Sequence, residues 1–176
     1  MNAPARGIAG QQVTIRPATP NDSSPLADLL RAADLPLDGV AEHLGEFLIA
    51  ERDGDIVGCA AVERYGSSGL LRSVAVTAAE RGNGTGATLV DRCIAAAADA
   101  GIETLVLLTT TAERYFPRFG FERIDRGLVP LAVHDSAEFR GACPASATAM
   151  MLRLRPNDPP PEPVSQREAA ISPHGR

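Results

Sequence analysis

The segment Arg81-Gly82-Asn83-Gly84-Thr85-Gly86 constrains this chain more than any other. It follows an apolar run, Leu70-Leu71-Arg72-Ser73-Val74-Ala75-Val76, and opens a long apolar-periodic segment, Ala87 to Ala100. The order reads as strand, glycine loop, helix. Glycines let the backbone approach a ligand closely and take positive φ. The first turn of the following helix carries unpaired N–H groups and the positive end of the helix dipole. Together these features make an anion site suited to a pyrophosphate.

Three ligand classes use such a loop. A P-loop ends in Gly-Lys-Ser/Thr so that lysine reaches the outer phosphates. Here Gly86 is followed by Ala87, and the chain contains no lysine. A dinucleotide fingerprint is met formally, because Gly82, Gly84 and Ala87 satisfy G-x-G-x-x-A and Glu103 lies downstream. That acid should end a strand, whereas Glu103 precedes one, and Thr77 to Arg81 separates the glycines from the strand before them. The third class binds acyl-CoA. Arg81, Gly84 and Gly86 match Arg/Gln-x-x-Gly-x-Gly/Ala, and Leu105-Val106-Leu107-Leu108-Thr109-Thr110 follows as the next strand. Ala112 to Phe121, ending Arg118-Phe119-Gly120-Phe121, then reads as a short helix with a closing Gly-Phe. In these features, in this order, the chain resembles the GCN5-related N-acetyltransferases (GNAT).

Bulk properties remove other classes. The 176 residues make one domain of ordinary size. Net charge is −5 and the arginines are scattered, which argues against nucleic acid and against an anionic membrane surface. No apolar run is long enough to span a bilayer, and the N-terminus lacks the pattern of a signal peptide, so a cytoplasmic location is expected. Cys59, Cys93 and Cys143 are widely spaced and make no C-x-x-C pair; His43, His134 and His174 are equally scattered. No metal site is expected.

Residues 1–11 read as a loose N-terminus, 12–155 as the domain, and 156–176 as a disordered proline-rich tail. Within the domain, Gln12 to Arg16 is a first strand, with Ser24-Pro25 starting a helix through Leu26, Leu29 and Leu30. Val40, Leu44 and Phe47 suggest a second short helix. Phe47 to Glu51 and Ile56 to Arg64 form a hairpin about Asp53-Gly54. Gly66 to Gly69 turns the chain into Leu70 to Thr77. A helix to Ala100 stops at Gly101. Thr104 to Thr109 is a strand, Phe121 to Arg126 is extended, Pro130 to Arg140 holds a further helical turn, and Ala145 to Arg153 is the last strand. This is an α+β fold: a single GNAT-like domain with a mixed, mostly antiparallel central sheet, helices on both faces and a splayed acetyl-CoA cleft.

The resemblance implies an acetyl-CoA-dependent N-acetyltransferase acting on a small-molecule amine, with acetyl-CoA as co-substrate, and it leaves a homodimer open. It implies that the pantetheine arm pairs with the backbone at Val74, Ala75 and Val76, and that Arg81, Gly82, Asn83, Gly84, Thr85 and Gly86 hold the pyrophosphate. Thr109 would stand on the opposite wall. A backbone N–H near Val76 would polarise the thioester carbonyl. The family's acid, a tyrosine five residues before the Gly-Phe phenylalanine, falls on Phe116 here. Tyr115, rotated by about 100° on a helix, is the candidate acid, and Glu63 the candidate base acting through water. Arg72, a guanidinium in an apolar strand, is a candidate for binding an acceptor carboxylate. From Ile56 to Leu154, the block Leu71-Arg72-Ser73, Leu108 to Thr111, Asp125-Arg126, Val129-Pro130, Glu138-Phe139 and Cys143 to Ala147 looks most like the arsenic-resistance N-acetyltransferases. Three other classes stay open: a non-catalytic acyl-CoA-binding sensor, a trivalent-arsenic binder using the three cysteines, and a dinucleotide oxidoreductase.

Overall fold

The computed structural model describes residues 12–154; the expectations for 1–11 and for the tail lie outside that span. Seven strands form one sheet in the order β1-β2-β3-β4-β5-β7-β6. They are β1 (Thr14–Pro17), β2 (Phe47–Arg52), β3 (Asp55–Tyr65), β4 (Ser68–Val76), β5 (Thr104–Thr109), β6 (Glu122–Ile124) and β7 (Thr148–Arg153). Every neighbouring pair is antiparallel except β4 and β5. The α+β expectation is met, and the dinucleotide reading, which needs a doubly wound parallel sheet, is overturned by this topology.

Two helices flank the sheet. Helix α1 (Ser23–Ala32) buries Leu26, Leu29 and Leu30 against Phe47, Ile49, Cys59, Ala61 and Ala75. Helix α2 (Thr85–Asp99) buries Leu89, Val90, Cys93, Ile94 and Ala97 on the other face, against Ala50, Ala60, Leu71, Leu105, Leu107 and Met150. The alternation of β2, β3, β5 and β7 sorts their side chains onto the two faces, as period 2 dictates. At burial free energies of about 1.5–3 kcal/mol per large apolar side chain, these two layers supply the main driving force.

Strand β4 breaks that period. Leu71, Val74 and Val76 share the α2 face, while Leu70 and Ala75 face the other way. The three-residue step from Leu71 to Val74 records a β-bulge: on β3, Cys59 pairs with Ala75 and Ala61 with Arg72. Ser73 absorbs it at φ 56°, left-handed backbone in a residue other than glycine.

Several local expectations shift. Helix α1 starts at Ser23, because a 3-10 turn, Pro20–Asp22, precedes it and a capping box of Thr19 with Asp22 seats that turn. The expected helix around Val40 to Phe47 is a single 3-10 turn, Leu44–Glu46. The helix expected over Ala112 to Phe121 is likewise one 3-10 turn, Phe116–Phe119, holding Pro117 and stopped by Gly120 at φ 90°. Strand β4 begins at Ser68, so the hairpin loop is shorter than Gly66 to Gly69.

Candidate active site

Strands β4 and β5 pair only from Ser68 to Leu70 against Thr104 to Val106. Beyond that they diverge, while β5 stays fully paired to β7 on its other side. A cavity of about 1720 Å³ occupies the opening. Its walls hold Arg72, Val74, Ala75, Val76, Arg81, Gly82, Asn83, Gly84, Gly86, Thr109 and Tyr115, which brings together most of the residues singled out in the sequence. Thr85 and Glu63 lie off those walls.

The glycine loop is built to leave amides free. Gly82 and Gly84 sit at φ 85° and 84°, and a Cβ on either would meet nothing within 4 Å. Gly84 is the N-cap of α2, so the first-turn N–H groups of Thr85, Gly86 and Ala87 have no intrahelical partner. The loop is anchored from behind. The buried Thr85 hydroxyl donates to Glu80, whose carboxylate pairs with Arg52 at 3.0 Å. The Thr88 N–H and hydroxyl both donate to the Gly84 carbonyl, at 3.0 and 3.1 Å. Thr85 therefore contributes an amide and a brace rather than a lining side chain. Arg81, Arg92 and Arg118 line the same cavity. Open amides at a helix start, in a cavity that also holds three arginines, fit a pyrophosphate.

The other end of the cavity contains a buried charge cluster. The Arg72 side chain is fully buried. Its Nη1 donates to Glu63, its Nη2 to the Asp38 carbonyl at 2.7 Å, and its Nε to Ser73 Oγ at 3.3 Å. Glu63 also accepts from the Tyr65 hydroxyl at 2.6 Å. The structure thus places Glu63 as the counter-ion of Arg72, one strand away from the cavity. Arg72 is held by protein partners on three of its nitrogens, so its fork is already engaged within the protein while it lines the cavity.

Glu138 completes the cluster; in the sequence it stands only as part of the Glu138-Phe139 motif, with no role attached. It lies in a π-helical turn, Glu138–Ala142, and lines the cavity with Asp34, Asp38, Arg72, Ser73, Ala142 and Cys143. Its Oε1 is 3.5 Å from Arg72 Nε, and its Oε2 accepts from the Cys143 thiol at 3.8 Å, a weak donor. Burial pushes its carboxyl up to about 7, against the opposing pull of Arg72.

Tyr115 stands at the pyrophosphate end. Its hydroxyl is 3.3 Å from where a Cβ would sit on Gly86, and Val76 lies against the same spot. Its ring packs on Phe116 and Phe119 under the Arg118 guanidinium, and burial raises its hydroxyl above the usual tyrosine value. Cys59 and Cys93 are buried on opposite faces of the sheet, so the three thiols do not converge. Among the described residues no group of three His, Cys, Asp or Glu is arranged to hold a metal, and no helix is long and apolar enough to cross a membrane.

Residues 43–123 match the model of the acetyltransferase (GNAT) domain. An amino-acid acetyltransferase of Mycobacterium tuberculosis is 37% identical over 98 residues, covering 53% of this chain and 56% of the relative. An uncharacterized N-acetyltransferase of Chlorobaculum tepidum is 28% identical over 95 residues, covering 53% and 61%. The chain thus spans less than two thirds of the length of these curated relatives. Among solved structures, N-acetylglutamate synthase of Neisseria gonorrhoeae, complexed with coenzyme A and N-acetyl-glutamate, superposes with a TM-score of 0.71 at 26% identity, over 82% of this chain and 35% of that one. A Mycobacterium tuberculosis protein in complex with CoA superposes at 0.67 with 25% identity, over 81% and 99%. With the splayed β4–β5 pair, the bulge and the glycine loop, these likenesses give the chain a GNAT-like fold, in which residues 43–123 match the acetyltransferase domain.

Proposed function

We propose that this protein transfers the acetyl group of acetyl-CoA to the amine of a small, amino-acid-like acceptor. The observation that carries the proposal is the joining of three features in one cavity: open amides at Arg81 to Gly86, an unpaired β4 edge at Val74 to Val76, and a bulge at Ser73. The amides suit the pyrophosphate of the donor, and the free edge suits the amide-bearing pantetheine arm as an added strand. From Val76 back to Ser73 is three strand residues, about 10 Å. An arm lying along that edge carries the acyl group to the bulge, where a ladder N–H is left without a strand partner and can face a carbonyl oxygen. Acetyl-CoA supplies an activated acyl thioester there.

This geometry supports a holding role for Tyr115, whose hydroxyl stands against the glycine loop at Gly86, rather than protonation of the thiolate at the bulge. It supports Glu63 as the group that fixes Arg72. The names of the relatives support an amino-acid acceptor. The finer assignment, to arsenic resistance, rests on motif order alone.

The reading is tested by CoA release with a panel of amino acids, among them L-glutamate, L-arginine, and arsenic- and phosphorus-containing analogues. Turnover with at least one amine is expected. Tight acetyl-CoA binding by calorimetry with no release from any of them would instead favour a non-catalytic sensor, a reading that Phe116 at the family's acid position supports.

A further inference from the structure

We infer that Glu138 is the carboxylate that receives the acceptor's ammonium group and takes its proton before attack. The inference rests on the transferase reading above.

An ammonium of pKa near 10 has no lone pair, so one N–H bond must break before nitrogen can bond to carbon. A base must therefore face the cavity close to the bulge. Glu63 does not, because Arg72 and the Tyr65 hydroxyl occupy it and it stands off the cavity wall. Asp34 and Asp38 line the cavity but are exposed. Glu138 is buried and lines the cavity beside Ser73, and among the described residues its one hydrogen-bond donor is a thiol at 3.8 Å. The charged and titratable groups that face it are Arg72 from β4, Glu63 from β3 and Cys143 from its own segment. Arg126 acts on that thiol from the preceding turn. One arginine stands between two carboxylates, and Glu63 has the shorter contact. Glu138 is left with acceptor capacity that an incoming ammonium can fill. A smaller depression of about 570 Å³, lined by Asp38, Ala137, Arg140, Gly141 and Ala142, shares Asp38 and Ala142 with the main cavity and gives the acceptor a route to this end.

The proton ledger is simple. The ammonium N–H bond breaks and a carboxyl O–H bond forms, so the ion pair becomes a neutral pair. The freed lone pair forms the C–N bond as the thioester C–S bond breaks. The nitrogen's second proton then leaves with the departing sulfur. A carboxyl whose burial holds it at about 7 is matched to this exchange near neutral pH.

Two measurements test the inference. In the first, kcat/KM for the acceptor is followed against pH in the wild type and in Glu138→Gln. The wild type should rise with a midpoint near 7. The variant should lose that limb, rise only toward the amine's own pKa, and fall about 10²–10³-fold at pH 7.5, with KM for acetyl-CoA unchanged. An unaltered limb with a rate within threefold would overturn the role of Glu138 while leaving the transferase reading intact. Wild-type protein that releases no CoA with any amine would sink both. The second measurement needs no turnover. In glutamate-labelled protein, the carboxyl resonance missing from Glu138→Asp should titrate near 7, and glycinamide or L-arginine should move its midpoint downward. A midpoint that ignores every amine would overturn the inference.

Discussion

A branched side chain at Gly84 would be tolerated by its neighbours and not by its own backbone. Nothing lies within 4 Å of a Cβ there, but φ is 84°. Left-handed backbone in a β-branched residue costs about 1–3 kcal/mol. That strain stays local, since the cores of α2 and the sheet lie elsewhere. On the proposed reading, the added side chain takes up open space at the helix start that the donor's pyrophosphate would use. Losing two charge-assisted hydrogen bonds, each worth about 1.5–3 kcal/mol, weakens binding at least a hundredfold. Gly84→Val is therefore expected to keep its circular dichroism spectrum and to lose calorimetric acetyl-CoA binding. Wild-type affinity in the folded variant would remove the cofactor assignment. The left-handed backbone of Gly84 at the helix start was readable in the sequence, because a glycine between a strand and a helix suits a positive φ. Arg72 was readable as unusual but not as paired: its partners Glu63, Asp38 and Glu138 come from three separate segments. Glu138 was visible as half of the Glu138-Phe139 motif but not as a site residue, since a glutamate in an irregular stretch shows its burial only after the chain has folded.

Strands and α2 were legible because their apolar periods are long and their turns carry Gly and Asp. Asp53 at φ 56° and Gly54 at φ 87° make the expected hairpin turn. Short helical turns were not legible: Pro117 and Gly120 leave room for one 3-10 turn where the sequence suggested a helix. The bulge was hidden too, because apolar residues flank Arg72 and Ser73 on both sides, so the slip in period between Leu71 and Val74 breaks no polar–apolar alternation. The entrance to α1 shows how a side-chain tie can replace pattern. Asp22 accepts from Arg16 Nη1 and Nη2 at 2.8 Å each, and from the Thr19 N–H at 2.7 Å. These donors hold the Asp22 carboxyl well below the usual carboxylate range, the Arg16 bonds contributing most. Because the folded value lies below the unfolded one, the stabilisation is complete above about pH 4 and fades as pH falls further. Asp22→Asn should lower the melting temperature at pH 7 and converge with wild type toward pH 2. A constant gap across that window would show that the ion pair carries no stability.

At the scale of the whole molecule, the chemistry of the thiols is set by the layers that bury them. Burial pushes Cys59 and Cys93 up to about 12, and Cys143, half-buried beside Glu138, to about 11. A thiol-reactive chromophore at pH 8 is expected to react slowly with native protein and with all three cysteines after denaturation. Fast reaction of two or three thiols in the native state would revive the trivalent-arsenic reading. The meeting of β4 and β5 has a mechanical consequence as well. Three residue pairs join these strands, against six between β5 and β7. The sheet is in effect two stiff plates stitched along a short seam. A molecule lying in the gap would bond to both plates and act as the missing stitching. Those amide protons from Arg72 to Val76 that do not pair with β3 should then be poorly protected in the empty protein and slow when acetyl-CoA enters, so that the donor would work as a removable strut of the architecture it reacts in.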